Sequence, residues 1–313
     1  MATTAKRSLV WLPYADAVER LGGVPDGIEV ETYDGSDPPD SAGAVEFWVP
    51  PYMSAGPIVA RLVDRLPRLK VLQTLTAGFE DVRAHLPPGV TLCNARGVHD
   101  ASTAELALGL TIASQRGVAD FARAQPEGRW AAEQRPALAD KTVLIVGYGA
   151  VGGAVDRRLA GFEVEVRRVA RTSREGPPPV AGWEALPDLL PGADVVVLTV
   201  PLTEQTRGMV DKAFLARMKD GALLVNVARG PVIDTDALLA ETSAGRLRAA
   251  LDVTDPEPLP PDHPLWKSPG VLISPHVGGN TDVFLSRAYR LIADQLRRFA
   301  AGEPLRNVIT GDY

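Results

Sequence analysis

A single cysteine, Cys93, stands in this chain of 313 residues, so no intramolecular disulfide can form. Its neighbours are apolar, which predicts a buried strand position. No stretch approaches the roughly 18 consecutive apolar residues that suggest a bilayer-spanning helix. The N-terminus, Met-Ala-Thr-Thr-Ala-Lys-Arg-Ser, has no apolar run of the kind that opens a secretory signal. There is no polybasic run and no basic stripe with interleaved aromatics, and the net charge is −6. Nucleic acid is therefore not expected as a partner. Repeats and low-complexity tracts are also missing. The expectation is a cytoplasmic protein with no membrane partner and no metal centre. What is present is a hydrophobic content of 45%, ample at this length for two packed cores.

The chain is organised around Thr142-Val-Leu-Ile-Val-Gly-Tyr-Gly-Ala-Val-Gly152. Residues 142–146 are apolar and rich in β-branched side chains, which predicts a fully buried strand. It runs into Gly147, Gly149 and Gly152, a G-x-G-x-x-G turn. In a dinucleotide site the first glycine permits the tight turn, the second lets a pyrophosphate approach the backbone, and the third lets the helix pack closely on the sheet. Ala150 and Val151 would open that helix, whose unpaired N–H groups and positive dipole end suit a phosphate.

Before this motif, residues 8–12, 28–32, 44–49, 70–74 and 90–94 look like strands. A helix is expected over 57–66, with Ile58, Leu62, Val63 and Leu66 on one face. Residues 34–41 form a turn-rich loop, and 101–116 a helix apolar nearly all round, buried in a core or at a subunit interface. The polar stretch 125–135 carries Trp130, expected as a packing anchor. After the motif, strands are expected at 164–169, 193–200, 222–226, 249–253 and 271–274. Helices are expected at 183–190, 211–218, 234–244 and 282–300, the last with Leu285, Ala288, Leu291, Ile292, Gln295, Leu296 and Phe299 as its buried stripe. Regular strand–helix alternation implies an α/β protein of two doubly wound parallel sheets. The larger would be a Rossmann dinucleotide-binding domain and the smaller a flavodoxin-like domain.

An NAD-binding unit places an acidic residue about 20 positions after the first glycine, where it accepts the ribose 2′-hydroxyl. The corresponding stretch here reads Val166-Arg-Arg-Val-Ala-Arg-Thr-Ser-Arg174, with no carboxylate. Arg167, Arg168, Arg171 and Arg174 crowd the strand end instead. Guanidinium groups bind phosphate through a bidentate fork, so NADP(H) is favoured over NAD(H), with Arg168 and Arg171 as 2′-phosphate ligands.

Ligands of open α/β sheets bind beyond the carboxyl ends of the strands. Three of those ends in the second domain are followed by Arg229, Glu257 and His276. Reducing a 2-oxo acid by hydride transfer makes an alkoxide that needs a proton, and the reverse reaction needs a base. Histidine serves both directions. A carboxylate such as Glu257 would fix its tautomer, while Arg229 would clamp the substrate carboxylate and polarise the carbonyl. His85 and His263 lie in proline-rich loops, and His99, near the domain junction, suits a hinge or packing role.

These segments resemble the D-isomer-specific 2-hydroxyacid dehydrogenases. The likeness runs from about Val71 to Gly311. It is carried by Leu72-Gln-Thr-Leu-Thr-Ala-Gly78, Asn94-Ala-Arg-Gly97, the glycine loop, Val200-Pro-Leu-Thr203 with Thr206-Arg-Gly208, Asn226-Val-Ala-Arg-Gly230, and Ser274-Pro-His-Val-Gly-Gly279. The resemblance implies that Arg229, Glu257 and His276 are the catalytic trio. It also implies that Asp252 faces the nicotinamide, that Pro201 lines the cofactor site, and that backbone amides around Ala77 and Gly78 hold the substrate carboxylate. The closing helix would return to the first domain, giving a discontinuous substrate domain of residues 1–97 and 283–313 and a dinucleotide-binding domain of 98–282. The missing acid resembles the NADP(H)-preferring glyoxylate/hydroxypyruvate reductase branch. Glu257, where formate dehydrogenases of the family carry glutamine, argues against formate, while phosphite oxidation would use the same trio. The alternatives are a phosphoglycerate dehydrogenase without a regulatory domain and a nucleotide-sensing binding protein on the same fold. A homodimer is expected.

Overall fold

The computed structural model describes residues 7–311. The chain folds into two units, one taking the chain up to His99 and again from Asp282, the other Asp100–Thr281. Among the described residues no helix is long and apolar enough to cross a membrane.

The first unit holds five strands, β1 (Ser8–Leu12), β2 (Ile28–Thr32), β3 (Val45–Trp48), β4 (Val71–Gln73) and β5 (Thr91–Cys93), ordered β2-β1-β3-β4-β5. Every pairing is parallel. Helices α1 (Ala17–Leu21), α2 (Ala55–Leu62) and α3 (Glu80–Arg83) come from between the strands. Strand β3 is buried along its whole length, as a central parallel strand requires. Its one charged residue, Glu46, is tolerated there because Ser8 donates a hydrogen bond and Arg68 and Lys70 supply charge. Cys93 is fully buried, and burial pushes its thiol pKa up to about 11. The closing helix, numbered α10 (Phe284–Ala301) because six others precede it in the second unit, belongs to this first unit. It buries Phe284, Ala288, Tyr289, Ile292, Gln295 and Leu296, while Leu285, Leu291 and Phe299 are only partly covered. The stripe is thus rotated from the expected one, because the aromatic rings at 284 and 289 fall on the row that meets the sheet.

In the second unit the intervening helices are α4 (Asp100–Arg116), α5 (Val118–Ala124), α6 (Ala150–Leu159), α7 (Leu186–Leu189), α8 (Lys212–Arg217) and α9 (Thr235–Ser243). Its strands are β6 (Thr142–Val146), β7 (Glu165–Val169), β8 (Val195–Leu198), β9 (Leu223–Asn226), β10 (Arg248–Leu251) and β11 (Val271–Ile273), ordered β11-β10-β9-β8-β6-β7, all parallel. Alternate residues feed the two faces of the sheet. Val143, Ile145, Val195 and Val197 enter one core, and Leu144, Val146, Val196 and Leu198 the other. The strand order reverses at β6, which lies between β7 and β8. The crevice at such a reversal is where doubly wound sheets bind ligands, and it is here that the glycine turn begins. Helix α4 packs on α6 but leaves Glu105 and Gly109 exposed, so its burial within this unit is one-sided. Trp130 is not a packing anchor in this chain: it lies in an irregular segment and is 95% exposed.

Candidate active site

The glycine turn has the shape its sequence requires. Gly147 adopts φ +101°, and a Cβ there would lie 2.7 Å from the carbonyl carbon of Thr199. A Cβ on Gly152 would collide with the Gly147 carbonyl oxygen, whereas one on Gly149 would meet nothing within 4 Å. The first and third positions thus close the turn against the chain leaving β8, and the middle one leaves an open approach. Thr199 fixes the arrangement by donating to the Gly147 carbonyl at 2.6 Å. Helix α6 has no side-chain cap at its N-terminus, so the N–H groups of Ala150 and Val151 are left for a ligand. These features fit the pyrophosphate of a dinucleotide. Pro201, beyond β8, is half-buried and accepts a hydrogen bond from Thr206 at 2.6 Å.

The arginines on and after β7 do not form one cluster. Arg168 makes a bidentate pair with Asp156 of α6, Nη2–Oδ1 2.7 Å and Nε–Oδ2 2.8 Å. Tyr148 donates to the same carboxylate at 2.5 Å. Burial pushes the Asp156 carboxyl up, but Arg168 and Tyr148 outweigh it and hold it below its ordinary value. Arg167 is turned to Glu165. A guanidinium already forked onto a carboxylate has little left for a phosphate, which counts against the 2′-phosphate role expected of Arg168. Arg171 is exposed, and Arg174 reaches back to the Tyr148 carbonyl at 2.8 Å. Asp156 was not singled out from sequence because it sits on the helix, outside the strand-end window where a ribose acid is sought.

Because β9, β10 and β11 run parallel to β6, the residues that follow them emerge at the same sheet edge as the glycine turn. After β9, Asn226 accepts from Ala228 N–H at 3.0 Å and donates to the Arg229 carbonyl at 2.9 Å, folding the chain sharply. Gly230 is pressed against the chain after β10, where any Cβ would overlap the Thr254 carbonyl. That close approach brings the Arg229 loop beside the segment carrying Glu257. After β11, His276 takes a left-handed backbone with φ +53°, uncommon for a side chain of this size. The buried carboxylate of Asp252 holds it there. Oδ1 accepts from Ser274 Oγ at 2.6 Å and Val277 N at 2.9 Å, and Oδ2 accepts from Gly278 N at 2.9 Å. His276 N itself donates to the Asp252 carbonyl at 2.8 Å. Asp252 therefore acts on the histidine loop, a role its sequence position did not suggest.

The result is a short contact of 2.5 Å between His276 Nδ1 and Glu257 Oε1. Burial raises the Glu257 carboxyl, but the hydrogen bond and charge of His276, the Thr254 backbone and the charge of Arg229 together bring it below its ordinary value. Glu257 is thus an ionised acceptor for a proton on Nδ1, and Nε2 is the ring nitrogen it does not engage. Within this unit Glu257 and His276 are thus in contact, with Arg229 near enough for its charge to act on the same carboxyl.

In the first unit, Asn94 donates to the Ala77 carbonyl at 2.6 Å, and Thr76 donates to the Gly78 carbonyl at 2.7 Å. Both carbonyls are thereby held, and the Gly78 N–H makes no hydrogen bond among the described residues. His99 is buried, bonded to the Leu75 carbonyl at 2.7 Å and stacked on Phe284, which is a packing role. His263 caps a short turn through Leu265 N.

Residues 108–278 match the model of the NAD-binding domain of D-isomer-specific 2-hydroxyacid dehydrogenases. The chain belongs to that family. It is an oxidoreductase that uses a nicotinamide nucleotide on 2-hydroxy acids. It is 34% identical to a glyoxylate reductase of Korarchaeum cryptofilum, over 81% of this chain and 80% of the relative. It is also 34% identical to a D-3-phosphoglycerate dehydrogenase of Mycobacterium tuberculosis, over 92% of this chain but 56% of that longer protein. A dehydrogenase of the family from Xanthobacter autotrophicus Py2, solved with NADPH and MES, superposes with a TM-score of 0.81 at 31% identity, covering 98% of each chain. Membership accounts for the two-sheet architecture of this dehydrogenase.

Proposed function

We propose that this dehydrogenase reduces a small 2-oxo acid, glyoxylate or hydroxypyruvate, to the D-2-hydroxy acid, with NADP(H) preferred over NAD(H). The observation that carries the chemistry is the 2.5 Å contact between His276 Nδ1 and Glu257 Oε1, with Arg229 close enough to lower the same carboxyl. The nicotinamide, when bound, supplies or receives the hydride. His276 gives its Nε2 proton to the substrate oxygen as negative charge develops there, and takes it back in the reverse direction. Glu257 fixes the imidazole tautomer and offsets the imidazolium charge. Arg229, permanently charged and planar, polarises the carbonyl and binds the neighbouring carboxylate. Ala77 and Gly78 are assigned to the substrate carboxylate as well. The glyoxylate reductase among the relatives supports the substrate choice.

NADP(H) preference rests on Arg171 and Arg174 at a strand end without a carboxylate, and the NADPH-containing Xanthobacter relative supports it. Direct titration with each cofactor tests it. Arg171→Asp should weaken NADPH by about tenfold or more, the scale of one charge-assisted hydrogen bond, and leave NADH little changed. Equal loss for both would remove the phosphate argument.

We further infer a homodimer. Trp130 at 95% exposure, with Val118 and Phe121 also exposed in the segment before it, is apolar surface of the kind subunit contacts cover. Sedimentation of the wild type and of Trp130→Ala would show a dimer weakened by the substitution. A monomer in both would dismiss the inference.

A further inference from the structure

Within the first unit there is a cavity of about 520 Å³ whose charged lining is nearly all of one sign. Arg96 contributes from the loop after β5, Arg287 and Arg290 from α10, and Arg306 from the segment after it, with Asp294 as the only carboxylate. Residues 287, 290, 291 and 294 recur at helical spacing, so one stripe of α10 faces the cavity while the neighbouring stripe is committed to the core.

Asp294 offsets only one of these guanidinium groups, that of Arg306. It is shared by Arg297 and Arg298 on its own helix, the latter at 2.9 Å, and by Arg306 at 2.6 Å. Arg96 and Arg287 have no carboxylate partner among the described residues, and the Arg290 Nε donates to the Ser286 carbonyl at 3.2 Å. A surplus of guanidinium charge is thus concentrated in one concavity of a chain whose net charge is −6.

The frame of the cavity is built from buried polar contacts. Gln295, fully buried, accepts from Arg306 N at 2.8 Å and donates to the Arg306 carbonyl at 2.9 Å, and it is itself bonded to Gln73 at 2.7 Å. Asn307, at φ +53°, donates to the carbonyls of Asn94 and Arg96 at 3.2 and 2.9 Å. The backbones bearing Arg96 and Arg306 are therefore fixed to each other and to the helix. Ordering cost at these positions has largely been met before any ligand arrives.

We propose that this cavity is a binding site for a compact organic anion carrying two or more negative groups, phosphate or carboxylate. The volume is that of small-molecule sites, and planar guanidinium forks converging from separate elements match the oxygens of either group. Such a ligand would fasten the loop preceding His99 to the first turns of α10, the two segments next to the points where the chain passes between its units. That location makes an effector role the natural use of the site.

Calorimetric titration of inorganic pyrophosphate, and separately of citrate, into the NADPH-saturated enzyme tests the proposal. Parallel titrations use Arg229→Ala, which removes the proposed substrate clamp, and Arg287→Gln/Arg290→Gln, neither of which is assigned a catalytic or substrate-binding role. Saturable binding is expected that survives Arg229→Ala and weakens about tenfold or more in the double variant, while the kcat of that variant stays near the wild-type value. Pyrophosphate binding alone would assign a phosphorylated ligand, and citrate binding alone a polycarboxylate. Binding lost with Arg229→Ala yet unchanged in the double variant would overturn the site. So would the absence of saturable binding by either anion.

Discussion

Replacing Asp252 by asparagine tests how the histidine is held. The wild-type carboxylate accepts from Ser274 Oγ, Val277 N and Gly278 N, with Oδ1 serving the first two and Oδ2 the third. An asparagine that keeps its oxygen toward Ser274 and Val277 turns its amide N–H₂ against the Gly278 N–H. The buried Gly278 N–H then loses its acceptor, which costs about 1–3 kcal/mol. The two remaining bonds fall from charge-assisted to neutral, losing about 1 kcal/mol each. The sum, about 3–5 kcal/mol, corresponds to a fall in melting temperature of roughly 6–20 °C for a unit of this size if the loss is global. If it is local instead, His276 leaves its left-handed conformation, and a misplacement of about 1 Å lowers kcat on the order of 10²-fold. Calorimetry and steady-state kinetics on the same preparation separate the two routes. An unchanged melting temperature and kcat, with only the Michaelis constant for the cofactor raised, would refute the reasoning. It would mean that the carboxylate acts on the nicotinamide and not on the loop.

Other substitutions probe the remaining parts of the site. His276→Ala should lower kcat by about 10²–10⁴, the range for losing general acid–base help, and full activity would remove it from the mechanism. Arg229→Ala should raise KM and lower kcat together, as expected of a group that binds substrate in both ground and transition states; an effect on neither would contradict its placement. Gly230→Ala should damage turnover although no reacting group is touched, because the new Cβ must displace the Thr254 segment that leads to Glu257; wild-type kinetics would refute that coupling. Glu46 provides a pH test of stability. Burial raises its carboxyl, but Lys70, Ser8 and Arg68 bring it below the ordinary 4.5. Its contribution is therefore complete above that value and is lost as the pH falls through the lowered one. Urea unfolding of Glu46→Gln against wild type should show a deficit at pH 7 that narrows toward pH 3, and a deficit independent of pH would contradict the assignment.

Much of the fold was legible because parallel strands buried on both faces read as short continuous apolar runs. The runs at 142–146 and 223–226 are of this kind, and each ends in a glycine turn or a polar loop. The trio was legible for a related reason: in an all-parallel sheet, whatever follows each strand lies at one edge. Short helices such as α3 and α5 were missed, since one or two turns give too few residues for a period to show. Trp130 was misjudged because amphipathic character does not distinguish a ring packed inside a chain from one left at its surface. The partners of Arg168 and Asp252 were not legible either. Arg168 pairs with a helix residue 12 positions earlier, and Asp252 bonds backbone groups 25 and 26 positions later. Neither pairing leaves a periodic or motif signature.

The measurement that bears most directly on the account is the reduction of glyoxylate and hydroxypyruvate, assayed side by side with NADPH and NADH. The account predicts turnover of at least one of the two acids with a higher kcat/KM for NADPH, abolished in His276→Ala. Turnover that prefers NADH would overturn the reading of Arg171 and Arg174. No turnover of either acid with either cofactor would contradict the central claim that Arg229, Glu257 and His276 reduce a small 2-oxo acid.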